Sequence, residues 1–227
     1  MKLLAIESSC ERASVALFFD GAIRARQLQG HANHSEHLLA AVRDLLSESG
    51  VAMNALDAVA FGSGPGAFTG LRLACGVAQG LALGAELGVI PVCSLAALAL
   101  QSAASQVLAA TDARMGEVYH ARYRVEDDVA HELTAPMCCA PQDLALPTGE
   151  WFGIGSAFAV YAEALAPLRA ALVGCDATAT PAAAAVARLA ARAGSAAIVA
   201  PEQAAPLYVR NKVALTTAER LARGNKA

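Results

Sequence analysis

Residues 62–72 read Gly-Ser-Gly-Pro-Gly-Ala-Phe-Thr-Gly-Leu-Arg, directly after the apolar run Ala58-Val59-Ala60-Phe61. A glycine-dense turn between a strand and a helix can aim several backbone N–H groups at an anion, or let a second backbone come very close. It is not a phosphate loop of the Walker type, because no Lys follows the glycines. Gly62-x-Gly64-x-x-Ala67 satisfies a dinucleotide fingerprint, but that chemistry needs an acidic residue at the end of the next strand to hold a ribose. The run near Val89–Cys93 ends in Ser94 instead. A tight turn that holds no ligand is the competing reading.

Other reactive groups are dispersed. The histidines are His31, His34, His37, His120 and His131, and none stands four residues from another. Two imidazoles four apart share a helical face and can grip one ion; spacings of three around a loop-to-helix junction read as a polar helix entry. No metal site is expected. Cys10, Cys75, Cys93, Cys138, Cys139 and Cys175 show no Cys-x-x-Cys spacing, so neither zinc nor a disulfide framework is indicated. No Gly-x-Ser-x-Gly nucleophile elbow is present. Asp112 and Glu117 are a candidate carboxylate pair, though beside a turn they read as a cap and a surface residue. No catalytic residue is assigned.

The elements that position these groups follow from pattern. Leu3–Ser8, Ala13–Phe19 and Ala22–Leu28 read as three strands, with Asp20-Gly21 as a hairpin turn. A helix is expected over Ser35–Ser47, with Leu38, Leu39, Val42, Leu45 and Leu46 on one face. Then come a strand over Asp57–Gly62, a helix over Leu71–Ala85, a strand over Val89–Cys93 and a helix over Leu95–Ala104. In the second half, Val107–Thr111 and Glu117–Val125 read as strands around the turn from Asp112 to Gly116. Irregular chain is expected around Pro136, Pro141 and Pro147. Trp151–Ile154 then reads as a strand, Ser156–Leu165 as a helix, and Pro181–Ala193 as an Ala-rich helix. Periodicity alone gives a mixed α/β sheet.

Hydrophobic residues make up 56% of the 227 residues and charged residues 16%, enough for a large core. Leu71–Leu100 is the most apolar stretch, but Arg72, Gln79, Glu86 and Pro91 interrupt it, so no membrane span is expected. The short apolar run Leu3–Ile6 does not make a signal peptide, and a cytoplasmic protein is expected. A net charge of −3 lacks the global basic field of an autonomous nucleic-acid binder. A local patch around Arg188, Arg192, Arg210, Lys212, Arg220 and Arg223 reads as a solvated helical face.

The chain resembles the TsaB (YeaZ) family. The resemblance rests on Ile6–Ser9, His34–Leu39, Phe61–Arg72, Gln79–Ala82, the run Asp112–Tyr119 and the closing Pro206–Arg210. The glycine loop together with Asp-Ala-Arg-Met-Gly-Glu-Val-Tyr is the specific combination. The resemblance implies an actin-like (sugar kinase/Hsp70/actin) α/β fold of two subdomains, residues 1–104 and 105–227. It implies a non-catalytic scaffolding subunit of the tRNA threonylcarbamoyl transferase, which modifies the adenosine beside the anticodon. The implied partners are the TsaD-type catalytic paralogue, a TsaE-type ATPase and a second copy of the chain, with tRNA met through the complex and no membrane. By the same resemblance, the first two helices form the interface, over His34, Glu36, Leu39, Val42, Thr69, Arg72, Leu73, Gly76, Val77 and Gly80. Glu7, Ser8, Ser9, Gly64 and Gly66 are the candidate nucleotide or anion contacts, with ATP or ADP at the subunit junction rather than as an intrinsic cofactor. The alternative is a stand-alone nucleotide-dependent transferase or a metal-dependent peptidase-like enzyme of the same superfamily. The paralogue's two-histidine metal site and its second glycine motif are not matched here; Gly153-x-Gly155-Ser156 is at most a stand-in for the latter.

Overall fold

The computed structural model describes residues 1–28, 34–146 and 148–210. The chain opens with a meander of β1 (Leu3–Glu7), β2 (Ser14–Phe19) and β3 (Ala22–Gln27). Asp20 and Gly21 both take the left-handed backbone that a two-residue hairpin between right-twisting strands requires. Helix α1 (His34–Ser49), strand β4 (Ala58–Gly64), helix α2 (Phe68–Gly84) and strand β5 (Gly88–Cys93) follow. The first sheet has the order β3-β2-β1-β4-β5, antiparallel through the meander and parallel across β1, β4 and β5.

Side-chain alternation assigns the two faces of this sheet. Leu4, Ile6, Val15, Leu17, Val59 and Phe61 point to the face covered by α1 and α2. Leu3, Ala5, Ala16, Ala58, Ala60 and Ile90 point to the other face. The four alanines on this face admit a close helix.

Helix α3 (Ser94–Ala99) is buried along its whole length, packed between the two sheets. It ends before the expected Ala104, because the Ser102 hydroxyl accepts the Ala104 N–H and offers the backbone a non-helical partner. The second sheet contains β6 (Gln106–Asp112), β7 (Val118–Glu126), β8 (Val129–Glu132), β9 (Met137–Cys139), β10 (Phe152–Ile154) and β11 (Gly174–Asp176). Its order is β11-β10-β6-β7-β8, with β9 paired to β7. Read from β8, this is a second antiparallel meander flanked by two parallel strands, so the two sheets repeat one topology. That duplicated arrangement is the actin-like α/β fold.

Strand β9 falls in the stretch expected to be irregular, and β8 and β11 lie where no element was assigned; all three are three or four residues long and give no alternation to read. Of the expected helix over Ser156–Leu165 only α4 (Ala157–Val160) is α-helical; α5 (Ala166–Ala170) begins after the buried Leu165, beyond the expected end.

Helix α6 (Ala183–Ala193) corrects the expected subdomain division. Ala183, Ala185, Val186, Ala187 and Ala190 pack on the first sheet, against Leu3, Ala5 and Ala16. Its first N–H is capped by the Ser14 hydroxyl of β2 at 2.9 Å. The segment after it also returns to the first sheet, where Val199 bridges Val89 of β5. The sheets thus separate near residue 104, but residues 183–208 lie on the first one.

Candidate functional site

The ends of β1 and β4 meet beneath the glycine loop. Glu7 is fully buried. Its Oε1 accepts the Ser9 N–H at 2.7 Å and its Oε2 accepts the Ser94 hydroxyl at 2.9 Å. Ser94 Oγ in turn accepts the Gly64 N–H at 3.2 Å. A Cβ at Gly62 would overlap the Glu7 carboxylate, so only glycine lets β4 run beside it. Burial pushes the Glu7 carboxyl up from its ordinary value near 4.5, against the lowering effect of its bonds to Ser9 and Ser94.

The native state therefore holds this proton more tightly than the unfolded chain. Its contribution to stability is present at low pH and declines as pH rises from about 4.5 through the raised native value. Glu7→Gln should remove that decline, so that denaturant unfolding of the variant is flatter across this window. An unchanged slope would mean that Glu7 is hydrated and ionised.

The loop rests on the Ser8-Ser9 backbone. Ala67 N–H donates to Ser9 O at 2.7 Å, and Ser8 Oγ donates to Gly70 O at 2.8 Å. A Cβ at Gly66 would lie 2.5 Å from Ser9 O, and one at Gly70 would overlap Ser8 O. Gly66 does not have a positive φ; Gly64 does, at +115°. Two of the loop's N–H groups, those of Gly64 and Ala67, thus serve the protein's own acceptors.

Across from this loop stands its counterpart in the second sheet. Gly155 (φ +120°) follows β10 as Gly64 ends β4, and a Cβ there would overlap Ala110 O. Ser156 Oγ accepts the Asp112 N–H at 3.1 Å. Tyr161 donates its hydroxyl to Asp112 Oδ1 at 2.7 Å. Burial, and then that bond, push the Tyr161 hydroxyl up to about 12. Between the two loops lies a cleft of about 170 Å³, lined by Ser9, Cys10, Gly66, Asp112, Arg114, Ser156 and Thr180 among others. Burial raises the Cys10 thiol to about 11, so it stays protonated at neutral pH and is a poor nucleophile.

Of the expected anion contacts, Ser9 and Gly66 line the cleft, while Glu7, Ser8 and Gly64 do not. Ser94 and Thr180 carried no functional expectation, since single hydroxyls outside a motif leave no sequence signal, and Ser156 entered only through the stand-in Gly153-x-Gly155-Ser156. Asp112 and Glu117 are not a pair: Asp112 meets Arg114 at 3.3 Å, and Glu117 meets Arg210 at 2.6 Å.

The expected interface residues sit on α1 and α2. Glu36, Leu39, Thr69, Arg72, Gly76 and Gly80 are exposed, and Leu73 and Val77 are half-buried. Val42 is 3% exposed and packs in the core with Leu38 and Leu45, which removes it from the surface set. The His34 backbone opens α1; its side chain lies outside the description. The α2 glycines differ from the loop glycines: among the described residues, a Cβ at Gly76, Gly80 or Gly84 would meet nothing within 4 Å. Leu39 and Leu83 are exposed by 53% and 56%. Ala74, Ala78 and Ala82, which alternate with these glycines in the sequence, are instead buried against the sheet. Of the expected basic patch, Arg188 and Arg192 are exposed, Arg210 is ion-paired, and Lys212, Arg220 and Arg223 lie outside the described residues. Among the described residues, no helix is long and apolar enough to cross a membrane.

Known proteins share this architecture. The family model for TsaD, tRNA N6-adenosine threonylcarbamoyltransferase, matches residues 29–223. The tRNA threonylcarbamoyladenosine biosynthesis protein TsaB of Escherichia coli is 39% identical over 172 residues, covering 72% of this chain and 74% of that protein. The TsaB of Haemophilus influenzae is 38% identical over 178 residues, covering 72% and 75%. The solved structure of YeaZ from Pseudomonas aeruginosa superposes with a TM-score of 0.84 at 38% identity, over 91% of this chain and 99% of that one. With this identity spread along the chain and the same fold throughout, the protein belongs to the TsaB family.

Proposed function

We propose that the chain acts in tRNA threonylcarbamoyladenosine biosynthesis as the non-catalytic partner of a TsaD-type subunit, docking through the outer face of α1 and α2. Membership of the TsaB family supports the biosynthetic role. The observation that carries the docking face is the open stripe of Gly76, Gly80 and Gly84, with Leu83 exposed on the same helix and Leu39 exposed on α1. Each glycine costs a helix about 1 kcal/mol relative to alanine. Nothing among the described residues uses the space they leave, whereas a second helix laid along the stripe would. A second copy would use the same face, so homodimer and heterodimer compete. A TsaE-type ATPase would join the assembly, tRNA would be met through the complex, and ATP or ADP would sit at the subunit junction. The setting is the cytoplasm, where tRNA is modified.

Amide hydrogen exchange tests the docking face. Adding purified TsaD-type subunit should slow exchange across Thr69–Gly84 and Glu36–Leu46. Protection confined to the edges of the second sheet, with α2 unchanged, would place the partner elsewhere.

A further inference from the structure

The segment after α6 is a strap across the first sheet that ends in the second. Gln79 Nε2 donates to Pro201 O at 2.9 Å and Ala204 O at 3.2 Å, fastening the strap along α2. Leu207 N–H donates to Ser63 O at 2.7 Å, beneath the glycine loop. Tyr208 lies 5.6 Å from Phe68, ring centre to ring centre, and accepts the Arg72 Nε–H at 3.2 Å. The Arg72 guanidinium covers the Phe68 ring at 3.8 Å. Two residues later Arg210 crosses to the turn between β6 and β7, pairing with Glu117 at 2.6 Å and donating to Ala113 O at 2.9 Å.

We propose that Arg210 is a positioning residue: it clasps the strap to the second sheet, fixing the angle between the sheets and the seat of the first turn of α2. The proposal rests on the reading of α1 and α2 as the docking face. A second tie between the sheets, Arg114 to Glu11, is exposed by 71% and 57%, and solvent screens it. The Arg210 side chain is only 15% exposed and its partner Glu117 40%, so this pair is less screened than Arg114 to Glu11, and its charge-assisted bonds hold more strongly. Both arginines meet one turn, in which Arg114 and Met115 take φ of +61° and +58°. That backbone is disfavoured for residues with a Cβ, and the bonds from Arg210 to Ala113 O and Arg114 O brace it. The same strap thus grips the first turn of α2 at Tyr208 and the wall of the cleft at Arg210.

The test compares wild type, Arg210→Ala, Arg210→Lys and Glu117→Gln in the full chain. Amide exchange is read on the free chain, and Kd is read against a purified TsaD-type subunit. Arg210→Ala should speed exchange about tenfold in residues 199–210, 64–70 and 112–117 while β1 and β4 stay protected, and should raise Kd about tenfold. Arg210→Lys should recover part of both effects, and Glu117→Gln should reproduce part of both. If Arg210→Ala does not fold, Glu117→Gln carries the test, since Arg210 then keeps its carbonyl acceptors. A raised Kd with unchanged exchange would make Arg210 a direct contact and overturn the proposal. Faster exchange with unchanged Kd would make the strap a local fastening and overturn it too. If Gly80→Arg leaves Kd unchanged while Arg210→Ala raises Kd and exchange together, the docking reading fails and the clasp is upheld.

Discussion

Gly70→Ala should lower the stability of the chain by about 3 kcal/mol, the upper range for forcing atoms into a packed site. For a chain of this size that corresponds to roughly 10 °C in Tm. The new methyl group would overlap Ser8 O, and that contact is backbone on backbone, so no side chain can swing aside. The loop and the end of β1 must separate, breaking the bond from Ser8 Oγ to Gly70 O and straining the one from Ala67 N–H to Ser9 O. Gly80→Ala is the matched control. It makes the same chemical change in the same helix where the methyl group meets nothing, so it should raise the stability of the isolated chain by up to about 1 kcal/mol. Thermal melts of the two variants with equal shifts would show that neither glycine is placed as described.

The second large effect separates the two sides of α2. Ala78 is fully buried on the sheet side, while Gly80 is exposed. Ala78→Arg places an unpaired charge in the core at a cost of several kcal/mol, comparable with the whole stability of a domain. It should give little soluble folded protein. Gly80→Arg should fold with normal circular dichroism, since the side chain enters open space. It should nevertheless weaken association with the TsaD-type subunit and with a second copy more than a hundredfold, about 3 kcal/mol. Size-exclusion co-elution reads both. An unfolded Gly80→Arg would mean that the stripe is internal packing.

These two predictions show where sequence reading stops. Gly62, Gly66 and Gly70 and the trio Gly76, Gly80 and Gly84 both recur every four residues. As letters they are equivalent. The first three give way to the backbone of Ser8 and Ser9 and to the Glu7 carboxylate, while the second three face open space. Only the path of β1 beneath the loop decides that, and that path is a long-range fact. The meander β1–β3 was legible because the short apolar runs of β1 and β2 and the Asp20-Gly21 turn are local signals. The ownership of α6 was not, because its cap is Ser14, some 169 residues away. On α1, the apolar spacing grouped Leu39 with Val42, but a helical wheel cannot say where the sheet ends. Val42 is core and Leu39 is surface. Among the candidate site residues, the motif located the loop and the turn Asp112–Gly116, yet not that they face each other across one cleft. The closing Arg210 stood out only as part of a family pattern; its partner Glu117 is 93 positions earlier and on another sheet.

The most direct measurement is tRNA threonylcarbamoylation by a purified TsaD-type subunit, with its ATPase partner and carbamoyl donor present, in three mixtures. These contain no added chain, the wild-type chain, or the Gly80→Arg chain shown beforehand to be folded. Modification is expected with the wild-type chain only, and background levels in the other two mixtures. Full modification without the chain, or with folded Gly80→Arg, would contradict the proposed function.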